Sequence, residues 1–324
     1  QNYKIAFVGD TGFDDELCVR NEDGEYEDTF CDVLQLIENE GADLVLHQGD
    51  ISYGGIDTNR NWMQNVDNVL GSTFPYFFSL GNHDAGNIWF NEQDGYRTIL
   101  QEQFAQAGIT PNGGLDAVGV RSSFAVNGLF VIHAAPGEGG AYDEIYGDAG
   151  DSMEDNLDDF IDAELTSHNN YLWQICGWHK NMRELQVGGK GDDAGSWAPF
   201  EACRQHGAII ANGHEHSYQR TNVLSGMESL TVADNIDPLA IEPGQTMLFV
   251  SGAGGRSLRD QQRCEPSGGV PYPVYQNSSC PEWDAVYTTE TVYNFEGQNY
   301  VVQDRLENDE RYEGGALFIE FYVD

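Results

Sequence analysis

Tyr3-Lys4-Ile5-Ala6-Phe7-Val8-Gly9-Asp10 is a short apolar run that stops at a Gly-Asp pair. Such a run reads as a buried strand feeding a loop. The pattern returns four times. Leu44-Val45-Leu46-His47-Gln48 runs into Gly49-Asp50, and Tyr76-Phe77-Phe78-Ser79-Leu80 into Gly81-Asn82. Leu172-Trp173-Gln174-Ile175 leads to His179, and Ala208-Ile209-Ile210-Ala211 runs into Asn212-Gly213-His214. Helical periodicity fills the intervals at about 27–40, where Phe30, Val33, Leu34 and Ile37 share a face, and at 60–70, 96–107, 153–166 and 198–205. Strand, helix, strand is a layered α/β fold, and open α/β sheets build their sites at the C-terminal ends of their strands. Further strands at 122–126, 129–133, 247–251 and 316–323 predict a second sheet packed on the first, with helices outside.

The chain has 324 residues, a length at which an α/β protein is often one domain with insertions. No linker divides it, so a single domain over 1–324 is expected, with an insertion at about 256–312 that is rich in Pro, Gly and Tyr. No apolar run is long enough to span a bilayer. Fifty-four acidic against fifteen basic side chains give a formal net charge of −39, and only Lys4, Lys180 and Lys190 are lysines. A surface of this sign repels nucleic acid and anionic membranes, so neither is an expected partner. It suits a protein kept soluble in high salt, where screening removes the self-repulsion. The sequence sets no oligomeric state.

Six cysteines form an even set without a Cys-x-x-Cys, which disfavours zinc thiolate sites. Cys18 and Cys31 flank a charged loop, and Cys264 and Cys280 bracket a Pro/Gly/Ser stretch; both pairs read as loop staples for an oxidising compartment. Asn277-Ser278-Ser279 is a glycosylation acceptor inside the second staple. With a chain that begins at Gln1, without Met or an apolar leader, these features predict a secreted, extracellular protein.

The chemistry lies in the blocks at the strand ends. Asp10 and Asp50 each follow a glycine, which lets backbone and carboxylate approach an ion closely. A single Gly-Asp is ordinarily a turn or a helix cap; two after two strands point to ligands, and one of the two carboxylates is the natural shared ligand of a cation pair. Tyr53, three residues beyond Asp50, offers a phenol that ionises at neutral pH only beside strong positive charge, which favours Fe(III) over Zn(II). His214 and His216 in Gly-His-Glu-His, His179 after its strand, and Asn82 with a neutral carbonyl oxygen complete a set for two metal ions. A pair held about 3.5–4 Å apart clamps a phosphate and stabilises displacement at phosphorus. His83 is the non-ligand of interest, a candidate to hold a phosphate oxygen and protonate the leaving alkoxide, with Asp84 placed to orient it. His133 and Lys180 are candidates to reach substrate, though sequence gives no geometry for either, whereas His47, His168 and His206 read as structural or exposed.

In this order the blocks resemble the calcineurin-like metallophosphoesterase superfamily, and Gly49-Asp50-Ile51-Ser52-Tyr53 with Gly213-His214-Glu215-His216-Ser217-Tyr218-Gln219-Arg220 look like purple acid phosphatases. The resemblance implies a four-layer αββα sandwich of two mixed sheets. It implies Asp10, Asp50, Tyr53 and His216 on a ferric ion and Asp50, Asn82, His179 and His214 on a divalent one (zinc, iron or manganese), with Asp50 as the bridge. It further implies hydrolysis of small phosphomonoesters by metal-bound hydroxide, with His83 contacting phosphate. A phosphodiesterase or nucleotidase on the same centre, or a non-catalytic extracellular binding protein on the scaffold, are the alternatives. The likeness runs from Tyr3 to about Arg220. It departs at Cys176, at Lys180-Asn181, and in lacking the N-terminal β-domain of the large plant enzymes.

Overall fold

A computed structural model gives the architecture, describing residues 2–13, 17–19, 29–188, 190–191, 194–233, 241–259, 280–287, 291–295, 298–302 and 314–323. The elements begin with β1 (Asn2–Val8), α1 (Thr29–Glu40), β2 (Leu44–His47), α2 (Asn59–Leu70), β3 (Tyr76–Phe78), α3 (Asn87–Phe90) and α4 (Tyr96–Ala107). Then come β4 (Arg121–Val126), β5 (Leu129–Ala134), α5 (Gly139–Tyr146), α6 (Gly150–Asp155), α7 (Leu157–Ser167), β6 (Trp173–Trp178), α8 (Ala198–His206) and β7 (Ile209–Asn212). Among the described residues only strands follow: β8 (Tyr218–Thr221), β9 (Leu224–Gly226), β10 (Thr231–Val232), β11 (Leu248–Ser251), β12 (Trp283–Tyr287), β13 (Thr291–Phe295), β14 (Gln298–Val302) and β15 (Leu317–Tyr322).

Two mixed sheets carry the fold, as expected. The smaller has the order β15-β1-β2-β3, with β1, β2 and β3 parallel and β15 antiparallel to β1. The larger has the order β12-β8-β11-β7-β6-β5-β4, parallel from β5 through β11 and antiparallel at its flanks. The strand at the C-terminal end thus joins the first sheet rather than the second. Part of the 256–312 stretch also belongs to the frame, because β12 pairs with β8 at the edge of the large sheet. Cys264, Asn277 and most of the rest of that stretch lie outside the described residues.

Side-chain alternation makes the four layers. Val131, Ile175, Ile209 and Phe249 of the large sheet face the small sheet, and Phe7 meets Phe249 edge to face with ring centroids 4.9 Å apart. Their neighbours Ile132, Cys176, Ile210 and Val250 point the other way, onto Leu157, Ile161 and Leu165 of α7 and Phe200 of α8. The small sheet is covered on its outer side by apolar faces of α1, α2 and α4, including Leu34, Trp62 and Ile99. Ile5 to Val8 are wholly buried, which is why β1 reads as a continuous apolar run rather than an alternating one.

Two disulfides are described. Cys18–Cys31 is the expected staple, and Cys176–Cys203, unassigned from sequence, ties β6 to α8 three residues before His179. The expected helix at 153–166 is two helices, α6 and α7, broken at Asn156, whose side-chain amide donates back to the Ser152 carbonyl at 2.6 Å. Among the described residues no helix is long and apolar enough to cross a membrane.

Candidate metal centre

The parallel strands of both sheets end at one place. Asp10 lies two residues beyond β1, Asp50 three beyond β2, Asn82 four beyond β3, His179 one beyond β6 and His214 two beyond β7. Hydrogen bonds fasten the strand ends there, within the small sheet and across to the large one. Gly9 N–H donates to Ser251 O (2.8 Å), Ser251 Oγ to Phe7 O (2.6 Å), and Asp10 N–H to Gly49 O (3.1 Å). Asp10 (φ 57°), Asp50 (φ 52°) and His214 (φ 71°) all take the left-handed conformation. For residues other than glycine this costs roughly 1–3 kcal/mol each, so the tertiary contacts hold the turns in place.

All seven expected ligand residues come together in two groups that share Asp50. In the first, Tyr53 Oη lies 3.2 Å from Asp10 Oδ1, 3.2 Å from Asp50 Oδ2 and 3.1 Å from His216 Nε2. In the second, His179 Nε2 lies 3.2 Å from Asp50 Oδ2, 3.2 Å from Asn82 Oδ1 and 3.1 Å from His214 Nδ1. Ligand atoms of Asp10, Asp50 and His179 all fall within 4.8 Å of one another.

Surrounding groups fix which atoms face inward. Gln48 O lies 2.7 Å from His179 Nδ1, and Ser257 O lies 2.8 Å from His216 Nδ1. A carbonyl only accepts, so both Nδ1 atoms carry hydrogen, and in the neutral rings both Nε2 lone pairs face the cluster. Apart from the Tyr53 hydroxyl, which donates to Asp10 or Asp50, acceptors then face acceptors, an arrangement that positive charge relieves. The donor chemistry therefore fits a pair of cations, with Asp50 Oδ2 common to both groups.

A proton on His179 supplies part of that charge. Burial disfavours the His179 cation, yet the Asp50 and Asp10 charges outweigh it and raise His179 to about 9. Burial likewise works against the charged forms of Asp10 and Asp50, and the facing histidines still pull both below the ordinary carboxylate range. His214 is pushed down by burial and by the charges of His179 and Lys190. Tyr53 is pushed well up, by burial and then by the two carboxylates.

The neighbours differ from expectation in part. His83 is exposed at the mouth, its amide donating to Asp50 Oδ1 (2.8 Å) and its ring 4.4 Å from that of Tyr53. Asp84 does not orient it. Its buried carboxylate instead accepts from Ile51 N–H (2.9 Å) and Gly81 N–H (2.8 Å), bracing the turns that hold Asp50 and Asn82. His133 is buried in the core against Phe124, and Lys180 is taken by Glu138 (2.9 Å) and Gly137 O (2.9 Å). His47 is buried beside Trp62, His168 stacks on Phe130, and His206 pairs with Asp162, the structural roles expected of them.

Four residues at the site were not singled out by sequence. Lys190 Nζ lies 2.9 Å from His214 Nδ1, Arg256 covers the Tyr53 ring at 4.4 Å, and Arg259 Nε stands 3.8 Å from the buried Glu215 carboxylate. The scarcity of basic residues was the signal available: a lysine or arginine retained in so acidic a chain calls for a partner.

The fold has known parallels. A purple acid phosphatase, PPD1, from yellow lupin (Lupinus luteus) seeds superposes with a TM-score of 0.58 at 18% identity, over 93% of this chain and 53% of that one. The present chain thus spans about half the length of the lupin protein. A dimetal phosphatase from Danio rerio superposes at 0.47 with 11% identity over 98% of both chains. GAP50, the anchor in the inner membrane complex of Plasmodium, superposes at 0.46 with 10% identity, over 93% of this chain and 88% of that one. No curated protein sequence matches. The family model for calcineurin-like phosphoesterases matches residues 3–218, a span that contains every residue of both ligand groups, and the chain belongs to that family.

Proposed function

We propose that the protein is a secreted phosphatase that hydrolyses small phosphomonoesters at a binuclear metal centre. The observation that carries the reading is the position of Asp50 Oδ2, 3.2 Å from Tyr53 Oη on one side and 3.2 Å from His179 Nε2 on the other. Asp10, Asp50, Tyr53 and His216 would hold one ion, and Asp50, Asn82, His179 and His214 the other, a pairing in line with the dimetal centre that family membership implies. Buried among carboxylates, the Tyr53 phenol keeps its proton against anything but a strong local charge, which favours Fe(III) on its side and a divalent zinc, iron or manganese on the other. Bound there, the two ions supply the charge that activates water and offsets negative charge developing on phosphorus.

The protein's own groups do the rest. Asp50 joins the two ligand groups, the Gln48 and Ser257 carbonyls hold the imidazole rings in one tautomer, and Asp84 fixes the turns beneath them. His83, solvent-accessible and anchored through its amide to Asp50, would donate a proton to the departing alkoxide. Two disulfides suit an extracellular location.

The test is metal analysis of the purified protein together with turnover of an aryl monophosphate and its bis-aryl diester. About two ions per chain, one of them iron, monoester preference, and a visible absorption band lost in Tyr53→Phe are expected. Diester preference would make the protein a phosphodiesterase. Full metal occupancy without turnover of any ester would make it a binding protein on this scaffold.

A further inference from the structure

Of the three lysines in the chain, Lys4 pairs with Glu40 (3.3 Å) and Lys180 with Glu138 (2.9 Å), while the third is spent on the cluster. Lys190 Nζ lies 2.9 Å from His214 Nδ1, the atom that would ligate the second ion, on the side of the site where Asn82 and His179 converge. An ion bound there would displace the ammonium from that lone pair. The charge of Lys190 is opposed by burial and by Arg259 and favoured by the negative charges of Asp10, Asp50 and Glu215. Glu215 sits between the two histidines of its block, has no solvent exposure, and neither carboxylate oxygen has a hydrogen bond among the described residues. Gly188 leaves the space it occupies, since a side chain there would collide with the carboxylate. Arg259 is fixed on the far side by its amide, which donates to His216 O (2.9 Å), with Nε 3.8 Å from Glu215 Oε1.

A carboxylate buried in this way is tolerable because the Arg259 cation faces it, and the charge of Lys190 acts on it in the same sense. In a protein of net charge −39, local cations also offset the repulsion that an anionic ester meets on approach.

We infer that Lys190 is a specificity-determining residue that contacts the phosphoryl group and favours dianionic monoesters over monoanionic diesters, with Glu215 as the positioning residue that holds it. The inference rests on the reading of the cluster as a phosphate-ester site. A monoester presents one more anionic oxygen than a diester, and an ammonium beside the cluster rewards that oxygen specifically. A hydrogen bond between charged partners corresponds to a change of about 10- to 100-fold in affinity.

The experiment is calorimetric titration of the metal-loaded protein with inorganic phosphate and, as the monoanionic control, dimethyl phosphate, near pH 8. In Lys190→Gln, phosphate affinity should fall by about 10- to 100-fold and dimethyl phosphate affinity by less than about threefold, with metal content unchanged; Lys190→Arg should recover most of the loss. Glu215→Gln should weaken phosphate in the native background and have little further effect in Lys190→Gln, a non-additivity that a purely structural role of Glu215 would not give. Equal losses for both anions, unchanged phosphate affinity, or loss of metal in Lys190→Gln would overturn the inference. These readouts need no turnover. A wild-type protein that binds phosphate through Lys190 yet cleaves nothing would defeat the phosphatase reading alone.

Discussion

The α-carbon of Gly81 faces Asp50 so closely that a β-carbon there would fall inside van der Waals contact of both the Asp50 amide nitrogen and its Oδ1. Gly81→Ala should therefore displace the carboxylate shared by the two ligand groups rather than merely stiffen a loop. Loss of at least one metal per chain and of more than about 90% of activity is expected, since a shift of about 1 Å at such a site costs roughly 10²-fold. Metal analysis alongside circular dichroism checks it, the fold being retained.

Asp84 should behave as a brace. Asp84→Ala leaves the buried amides of Ile51 and Gly81 without their acceptor, and a loss of about 2–5 kcal/mol is expected in denaturant unfolding. Asp84→Asn should cost much less. Burial and the Asp50 charge hold the Asp84 carboxyl well above the usual range, so in the native state it binds its proton longer than in the unfolded chain. Stability from this group is therefore present at low pH and declines as pH rises, and the gap between wild type and Asp84→Asn should narrow from pH 5 toward pH 9.

His133 gives the opposite slope. Burial lowers it to about 3, so between pH 3 and its unfolded value of about 6.5 the unfolded chain binds the extra proton. Stability is complete above about pH 6.5 and falls on acidification by up to about 1.4 kcal/mol per pH unit. His133→Gln should remove that component. The stability difference between wild type and variant, measured at pH 7 and pH 4.5, should shrink by about 2–3 kcal/mol.

Breaking Cys176–Cys203 as Cys176→Ala/Cys203→Ala should lower unfolding free energy by about 3–4 kcal/mol, the entropy of a closure across a sequence separation of 27. Because Cys176 is three residues from His179, a drop in affinity for the second metal is expected with it, read by competition with a chelator.

His83→Asn should leave both metals bound and reduce turnover by roughly 10²–10⁴-fold for alkyl phosphates. Nitrophenyl phosphate, whose leaving group needs no proton, should lose far less. Equal losses would reduce His83 to a phosphate-binding residue.

What the sequence revealed follows from where its signals are local. Apolar runs closed by Gly-Asp, Gly-Asn or Gly-His are local, and β1, β2, β3 and β7 lie where these runs put them, each delivering its polar residues to the site. The helix at 96–107 matches residue for residue. The break at Asn156 was hidden because Leu157, Ile161 and Leu165 continue an unbroken apolar stripe, while the interruption depends on one side-chain hydrogen bond. β8 escaped notice because Tyr218-Gln219-Arg220-Thr221 is polar and made into a strand by its partners on either side. Asp84 was misread for the same kind of reason: proximity in sequence suggested His83, whereas its carboxylate reaches the Ile51 amide, 33 residues away. Glu215 and Arg259 likewise acquire meaning only when the loop after β11 is folded back over the His216 turn.

β1 lies between β2 and β15, so Asp10 sits at the end of a strand whose second neighbour is synthesised after every other part of the site. On the ribosome, the wholly apolar Ile5–Val8 segment therefore waits with one hydrogen-bonding edge open until residues 317–322 emerge. An open apolar edge is a template for pairing with another nascent chain. Folding yield in a cell should accordingly depend on holdase chaperones that cover this edge during synthesis, and a ribosome stalled shortly before β15 should leave an aggregation-prone product even though both ligand groups have already been made.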